Sequence, residues 1–257
     1  MIKKQITDAA EKLNIPRVGF AKGSVVAIFP YFVAEEQGNL SMYARGRDYH
    51  KVVRKKLQPL GELLKELGAT DPQIQVDNGP LDDRGAAFEA GLGFYGQNGM
   101  LINPEFGSYF FIGQISHDLD VEPDKPLTQT CLDCGRCERE CPGRALRGGR
   151  VDISKCLSEI TQKKGELSTE EVSLIKKHKT IWGCDICQRV CPHNRGLGTT
   201  AIPEFMEGRL QSLELCDVGG LSNSEFKEKY GEYAFSWRGK NPLVRNLEIL
   251  EDNNEQK

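Results

Sequence analysis

Eight of the nine cysteines stand at spacings that can hold iron. The run Cys131-x2-Cys134-x2-Cys137-x3-Cys141-Pro142 lets three thiolates wrap one cubane while the fourth, past a short turn, reaches a neighbouring one. A second run, Cys184-x2-Cys187-x3-Cys191-Pro192, has Ile181 where its first cysteine would stand, and Cys156 between the runs can replace it. The count then closes on two [4Fe-4S] clusters. Cys131, Cys134, Cys137 and Cys191 hold the first, Cys141, Cys156, Cys184 and Cys187 hold the second, and Cys216 is left over. Paired zinc sites also use CxxC pairs, but the three-residue gap to Cys-Pro suits them poorly. A disulfide framework belongs to small secreted chains, and this one is neither small nor visibly secreted. Arg136, Arg139, Arg144, Arg147 and Arg150 crowd the first run, where they can screen cluster charge or dock an acidic electron donor such as a ferredoxin or flavodoxin.

The bulk numbers suit a globular protein, and nine cysteines without an export signal point to a cytoplasmic one. The chain has 257 residues, 39% hydrophobic and 28% charged, with a net charge of −3. That is enough apolar content for a core and gives no global basic field, so any RNA contact must use a local patch. The amphipathic start has no apolar stretch like that of a signal peptide, no run reaches the ~20 apolar residues of a membrane span, and nothing points beyond a monomer.

The elements that must position this chemistry follow from periodicity. Residues 2–13 and 48–67 carry apolar residues at helical spacing, the latter with Pro59 expected to kink or split it. Residues 17–21, 25–32 and 73–76 read as strands, the last running into the turn Asp77-Asn78-Gly79-Pro80. Residues 83–90 read as a short helix, and 100–103 with 109–115 as a hairpin. The expected organisation is an α/β (α+β) domain over 1–127, a ferredoxin-like double-cluster module over 128–200 and a helical segment over 201–257. Phe226, Tyr230, Tyr233, Phe235 and Trp237 are expected to pack that tail onto the body, with a polar, frayed end from residue 251.

The flanking motifs narrow the reading. Tyr43-Ala-Arg-Gly-Arg-Asp-Tyr-His50, Val76-Asp-Asn-Gly79, Arg84 with Ala90-Gly-Leu-Gly93, and Leu101-Ile-Asn-Pro-Glu-Phe-Gly-Ser108 precede the cysteine runs. Cys156-Leu-Ser158, Thr161-Gln-Lys163, Trp182-Gly-Cys-Asp-Ile-Cys-Gln188, Ser236-Trp-Arg-Gly239 and Arg245-Asn246 lie among or after them. Over roughly residues 40–250 this set resembles the epoxyqueuosine reductases, cobalamin-dependent iron–sulfur enzymes that finish queuosine in tRNA. Three departures stand out: only Ala-Lys-Gly-Ser separates Phe20 from Val25 where the family carries a helical insertion, little follows Asn246 where it has helical repeats, and Gln97 replaces a common lysine.

The resemblance implies that the N-terminal domain holds cobalamin, that two [4Fe-4S] clusters feed it electrons, and that the substrate is an epoxide on a modified tRNA anticodon base. It makes Asp77 the proton donor. On its residues alone, Asp77 would accept backbone N–H groups in its turn. An aspartate of ordinary pKa ~3.9 is a poor acid at pH 7, so burial against the cofactor is expected to keep it neutral. Cofactor contacts are expected from Ser41, Asp77, Asn98, Met100, Ser108 and Ser158, and RNA contacts from Gln162, Lys163, Lys164, Arg238 and Arg245. None of His50, His117, His178 and His193 reads as a cobalt ligand, and His50 reads as a packing or capping neighbour. The alternatives are a related cobalamin and iron–sulfur reductase of a small molecule, or a ferredoxin-like electron carrier without cobalamin.

Overall fold

The computed structural model describes residues 1–252. Helix α1 (Ile2–Lys12) leads into the hairpin β1 (Arg17–Ala21) and β2 (Ser24–Pro30). Ala21 pairs with Ser24, so a two-residue turn closes the place where the family insertion was expected. Helix α2 (Tyr49–Glu66), β3 (Gln73–Gln75), α3 (Asp83–Glu89), β4 (Phe94–Tyr95), β5 (Leu101–Ile102) and β6 (Phe110–Ser116) follow.

Four strands form one sheet in the order β1-β2-β6-β3, every neighbouring pair antiparallel. The N-terminal part is therefore mixed in the α+β sense. Alternation along β2 explains its unbroken apolar run. Val25, Ala27 and Phe29 pack with Ile6 of α1 and with Val53, Leu57 and Leu60 of α2, whereas Val26 and Ile28 pack with Ala87 near the other face. Helix α2 lies close on β6: a Cβ at Gly113 would stand 2.5 Å from Val53 Cγ1 and 2.7 Å from Leu57 Cδ1.

Two expectations need correction. Pro59 does not split α2. It lies on the exposed side, so the Lys55 carbonyl it leaves unbonded can turn to water, while buried Leu57, Leu60 and Leu64 hold both flanks. The expected 100–115 hairpin is absent: β5 pairs with β4, and β6 pairs with β2 and β3. Asn103 diverts the chain, its Oδ1 accepting from the Glu105 and Phe106 amides and its Nδ2 donating to Leu92 O, and only the Asn103–Gly107 bridge remains of the pairing.

The cluster segment contains α4 (Arg136–Glu140), β7 (Leu146–Arg147), β8 (Arg150–Val151), α5 (Leu157–Gln162), α6 (Thr169–His178) and α7 (Ile186–Arg189). A Ser168/Glu171 capping box starts α6. Then come α8 (Pro203–Met206), α9 (Leu215–Val218), α10 (Asn223–Tyr230) and α11 (Asn241–Glu251). Phe226, Tyr230, Tyr233 and Phe235 join a second core around Leu40 and Trp182, as expected. Trp237 does not: it is 62% exposed, and the Arg238 guanidinium covers its ring 4.0 Å from the centroid. The expected frayed end is helical to Glu251, and residues 253–257 lie outside the described residues. No described helix is long and apolar enough to cross a membrane.

Candidate catalytic cavity and cluster sites

The cysteine runs are built on short helices that pack on each other, α4 in the first and α7 in the second. All nine cysteines are free thiols. Burial pushes Cys137 and Cys191 up, and each also feels the Cys131 thiol; Cys191 feels Cys134 as well. Burial pushes Cys184 and Cys187 up to about 12, and both feel Cys141 and Cys156. Two sets emerge, with Cys137 also felt at Cys187 where they meet. Such buried thiols need a compensating positive charge to ionise, which a cationic metal supplies. Among the described residues no three ligating side chains are grouped to hold one ion; a cubane asks otherwise, since each thiolate takes a separate iron corner. The Ala145 N–H donates to Cys141 Sγ at 3.2 Å.

Buried polar groups fix the second run to the N-terminal domain. Asp185, between two cysteines, accepts from Ser41 Oγ and, at 2.8 Å, from the Met42 amide. Gln188 Nε2 and Asn194 Nδ2 donate to Ser108 Oγ at 3.0 and 2.8 Å. Gly107, at φ 58°, is required there, because a Cβ would stand 2.0 Å from Asn194 Oδ1.

These contacts enclose a cavity of about 840 Å³. Ser41, Asp77, Asn98, Met100, Ser108 and Ser158 all line it, and so do Cys141, Cys156, Cys184 and Cys187. Tyr31, Tyr43, Tyr49, Phe110 and Phe111 supply aromatic wall. The size suits a small-molecule site. Ser41 and Ser108 already serve the clamp. Asn98 is 6% exposed; its Oδ1 accepts from the Met100 amide, while Nδ2 is buried without a partner. Such an orphaned donor in a cavity wall can bond an acceptor on a bound group or on water.

Asp77 sits at the rim at φ 61°, a strained position for a side-chain-bearing residue. Its Oδ2 accepts from Tyr49 Oη at 2.8 Å and lies 3.3 Å from His50 Nε2. The other ring nitrogen, His50 Nδ1, lies 2.8 Å from Asp48 Oδ1, and Asp48 also caps α2 through the His50 amide. Tyr49 stacks on both His50 and Phe111, centroids 4.0 and 4.1 Å away. Burial works against a charged imidazole, but the bonds to Asp48 and Asp77 outweigh it and lift His50 to about 9. The His50 bond, outweighing burial and aided by Tyr49 and Arg84, holds Asp77 below the usual carboxylate range. The expected desolvated, neutral Asp77 is thus not what the protein alone provides: the side chain is 58% exposed and paired with a cation. Asp48, Tyr49 and His50 are the site residues the sequence reading passed over. Their signal was an acidic cap followed by two aromatic, polar-tipped residues at the start of the helix that faces the Asp77 turn.

With this geometry in hand, comparisons place the chain. A family profile described as Epoxyqueuosine reductase QueG, DUF1730 matches residues 21–78, and one described as 4Fe-4S double cluster binding domain matches residues 130–194. The epoxyqueuosine reductase of Lactococcus garvieae is 43% identical over 237 residues, covering 91% of this chain and 67% of that protein. The chain belongs to the epoxyqueuosine reductase family. The structure of the Streptococcus thermophilus epoxyqueuosine reductase matches with TM-score 0.86 at 31% identity, over 98% of this chain and 81% of that one. An epoxyqueuosine reductase crystallised with a tRNA-Tyr epoxyqueuosine-modified stem loop matches with TM-score 0.85 at 28% identity, over 97% and 80%. The chain spans 67% of the Lactococcus relative's length and 55–56% of four further curated relatives. The family resemblance read from the motifs is borne out.

The residues expected to face RNA, Gln162, Lys163, Lys164, Arg238 and Arg245, lie together around α5 and α11. Lys164, Arg238 and Arg245 line a second cavity, of about 680 Å³. Their availability differs. Arg245 is committed to the Lys163 and Gly165 carbonyls, both at 2.7 Å, and Lys163 pairs with Glu171 at 2.9 Å. Gln162 donates to Ser158 O and accepts from Trp237 Nε1. Lys164 is exposed, and Arg238 lies half-buried on the face of exposed Trp237.

Proposed function

We propose that this chain reduces epoxyqueuosine to queuosine in tRNA, with Asp77 as proton donor. The observation that carries the proposal is one cavity with Asp77 on its wall and four cluster-spaced thiols on another. Converting an epoxide to an alkene consumes two electrons and two protons and expels the oxygen as water. A proton donor and an electron source must therefore meet at one substrate.

Cys131, Cys134, Cys137 and Cys191 would hold the outer [4Fe-4S] cluster, and Cys141, Cys156, Cys184 and Cys187 the inner one. The lining of this cavity suits cobalamin: Asn98 offers an unsatisfied amide, Ser41, Met100, Ser108 and Ser158 would complete the wall, and the aromatic residues present apolar surface. When bound, these groups supply low-potential electrons. The chain's own residues do the rest. Asp77 presents its carboxyl to the departing oxygen, Tyr49 fixes its orientation, and the aromatic wall excludes water. Lys164 and Arg238 give the tRNA backbone a cationic seat beside exposed Trp237. A small acidic electron carrier is the natural donor, since Cys134 is exposed among arginines.

Anaerobic reconstitution tests the proposal. The expected result is about eight irons per chain, corrin absorbance, and turnover of epoxide-bearing tRNA that Asp77→Asn loses by about 100-fold while keeping corrin. Corrin without tRNA turnover would favour a small-molecule reductase, clusters without corrin an electron carrier, and zinc or four irons would end the cluster assignment.

A further inference from the structure

Expelling the epoxide oxygen as water takes two protons, and a single carboxyl carries one. Asp77 must therefore be recharged within each turnover, or start from a partner's proton. Asp77 and Tyr49 line the cavity, whereas His50 does not. His50 stands behind Asp77, its Nε2 3.3 Å from Oδ2, with its side chain 31% exposed. The ring is thus partly open to solvent and touches the cavity-lining carboxyl. Both ring nitrogens lie against carboxylates, Asp48 and Asp77, an arrangement that fits N–H donation from both and hence the imidazolium.

We infer that His50 is the positioning acid that recharges Asp77, passing solvent protons through Nε2 to Oδ2 during the reduction. The inference rests on the reductase reading above. In each transfer the Nε2–H bond breaks as the Asp77 carboxylate takes the proton on Oδ2, and the new Oδ2–H bond breaks as the departing oxygen gains it. Neutral His50 then takes its next proton from water. The two electrons come from the cluster-fed cofactor. Asp48 holds the ring in place and stabilises its charge.

The groups around the ring support this. Asp48 and Tyr49 share its helix, with Lys51 near Asp48; Asp77 and Asn78 face it from the turn after β3; Arg84 acts on Asp77 from α3, Asp83 beside it feels Asp77, and Tyr43 acts on Tyr49. Of these cations, Lys51 is paired with Glu232 and Arg84 donates to Gly99 O. Among the described residues, His50 is the one basic side chain paired with Asp77.

His50→Gln keeps a polar side chain but cannot titrate. The expected result with reconstituted enzyme is unchanged corrin binding and KM for tRNA, kcat lower by about 100-fold, loss of the alkaline limb of the rate profile near pH 9, and partial rescue of His50→Ala by added imidazole. NMR titration of the histidines gives a readout independent of turnover: the His50 ring should stay charged well above pH 7 and titrate lower in Asp77→Asn. A His50→Gln enzyme with wild-type rate and pH profile overturns the inference, as does a His50 titration that ignores Asp77→Asn. An inactive wild type with the coupled titration intact would instead overturn the substrate reading.

Discussion

The His50 ring converts a surface turn into a device for holding a proton, and its charge has a consequence for folding. Its folded value, about 9, lies above the ordinary 6.5, so the stability it contributes is complete below pH 6.5 and lost as pH rises through about 9. Asp48 and Asp77 carry the opposite sign. Their values are depressed, so their contribution holds above the ordinary carboxylate range and fades as the solution is acidified. Wild type and His50→Gln should differ by ~1–2 kcal/mol at pH 6, a figure discounted for the ring's 31% exposure. Urea unfolding at pH 6 and pH 9.5 checks it: the gap should close at the higher pH, and a constant gap would mean that shape rather than charge is lost.

Elements place these residues, and here the sequence was informative unevenly. Regular periodicity marked α1 and α2, and apolar runs marked β1 and β2, because each buries one clear apolar face or run. The β5–β6 region misled because its pairing depends on Asn103, whose side chain bonds local backbone amides that would otherwise extend a hairpin. Among site residues, cysteine spacing and family motifs led to Cys141, Cys156, Cys184, Cys187 and the expected cofactor contacts, which line one cavity. The Asp77–His50 pair was not legible, because it needs the start of α2 and the end of β3 to meet across 27 residues of sequence. That meeting depends on how closely α2 seats on β6, which Gly113 permits. Gly113→Ala should cost ~1–3 kcal/mol, because its Cβ must displace Val53 and Leu57. Denaturant midpoints would measure the loss, and pairing with Val53→Ala should recover part of it. Wild-type stability in Gly113→Ala would show that α2 can shift outward freely, undermining the rigid seat assumed for His50.

Across the molecule, stabilisation is distributed in two ways. The four-stranded sheet and its helices are buried from Ile6 to Ile115, and the C-terminal helices have their own core. Between residues 128 and 155, by contrast, only Ala145 and Leu146 are buried, and α4 has no buried residue. A segment this poor in apolar burial cannot offset its chain entropy by packing, so thiolate–iron bonds must supply the folding free energy, as metals do in other small metal-held modules. Removing the iron with a chelator and oxidant should therefore loosen this stretch and leave the sheet intact. Trypsin, which cuts after the exposed Arg139, Arg144, Arg147 and Arg150, gives the readout. Iron-loaded protein should resist cleavage there, while iron-free protein is nicked at these arginines with residues 1–116 surviving as a protected fragment in mass spectra. Equal cleavage rates in both forms would mean that the arginine-rich loop is mobile even with its clusters bound, and so a poor platform for a docking electron carrier.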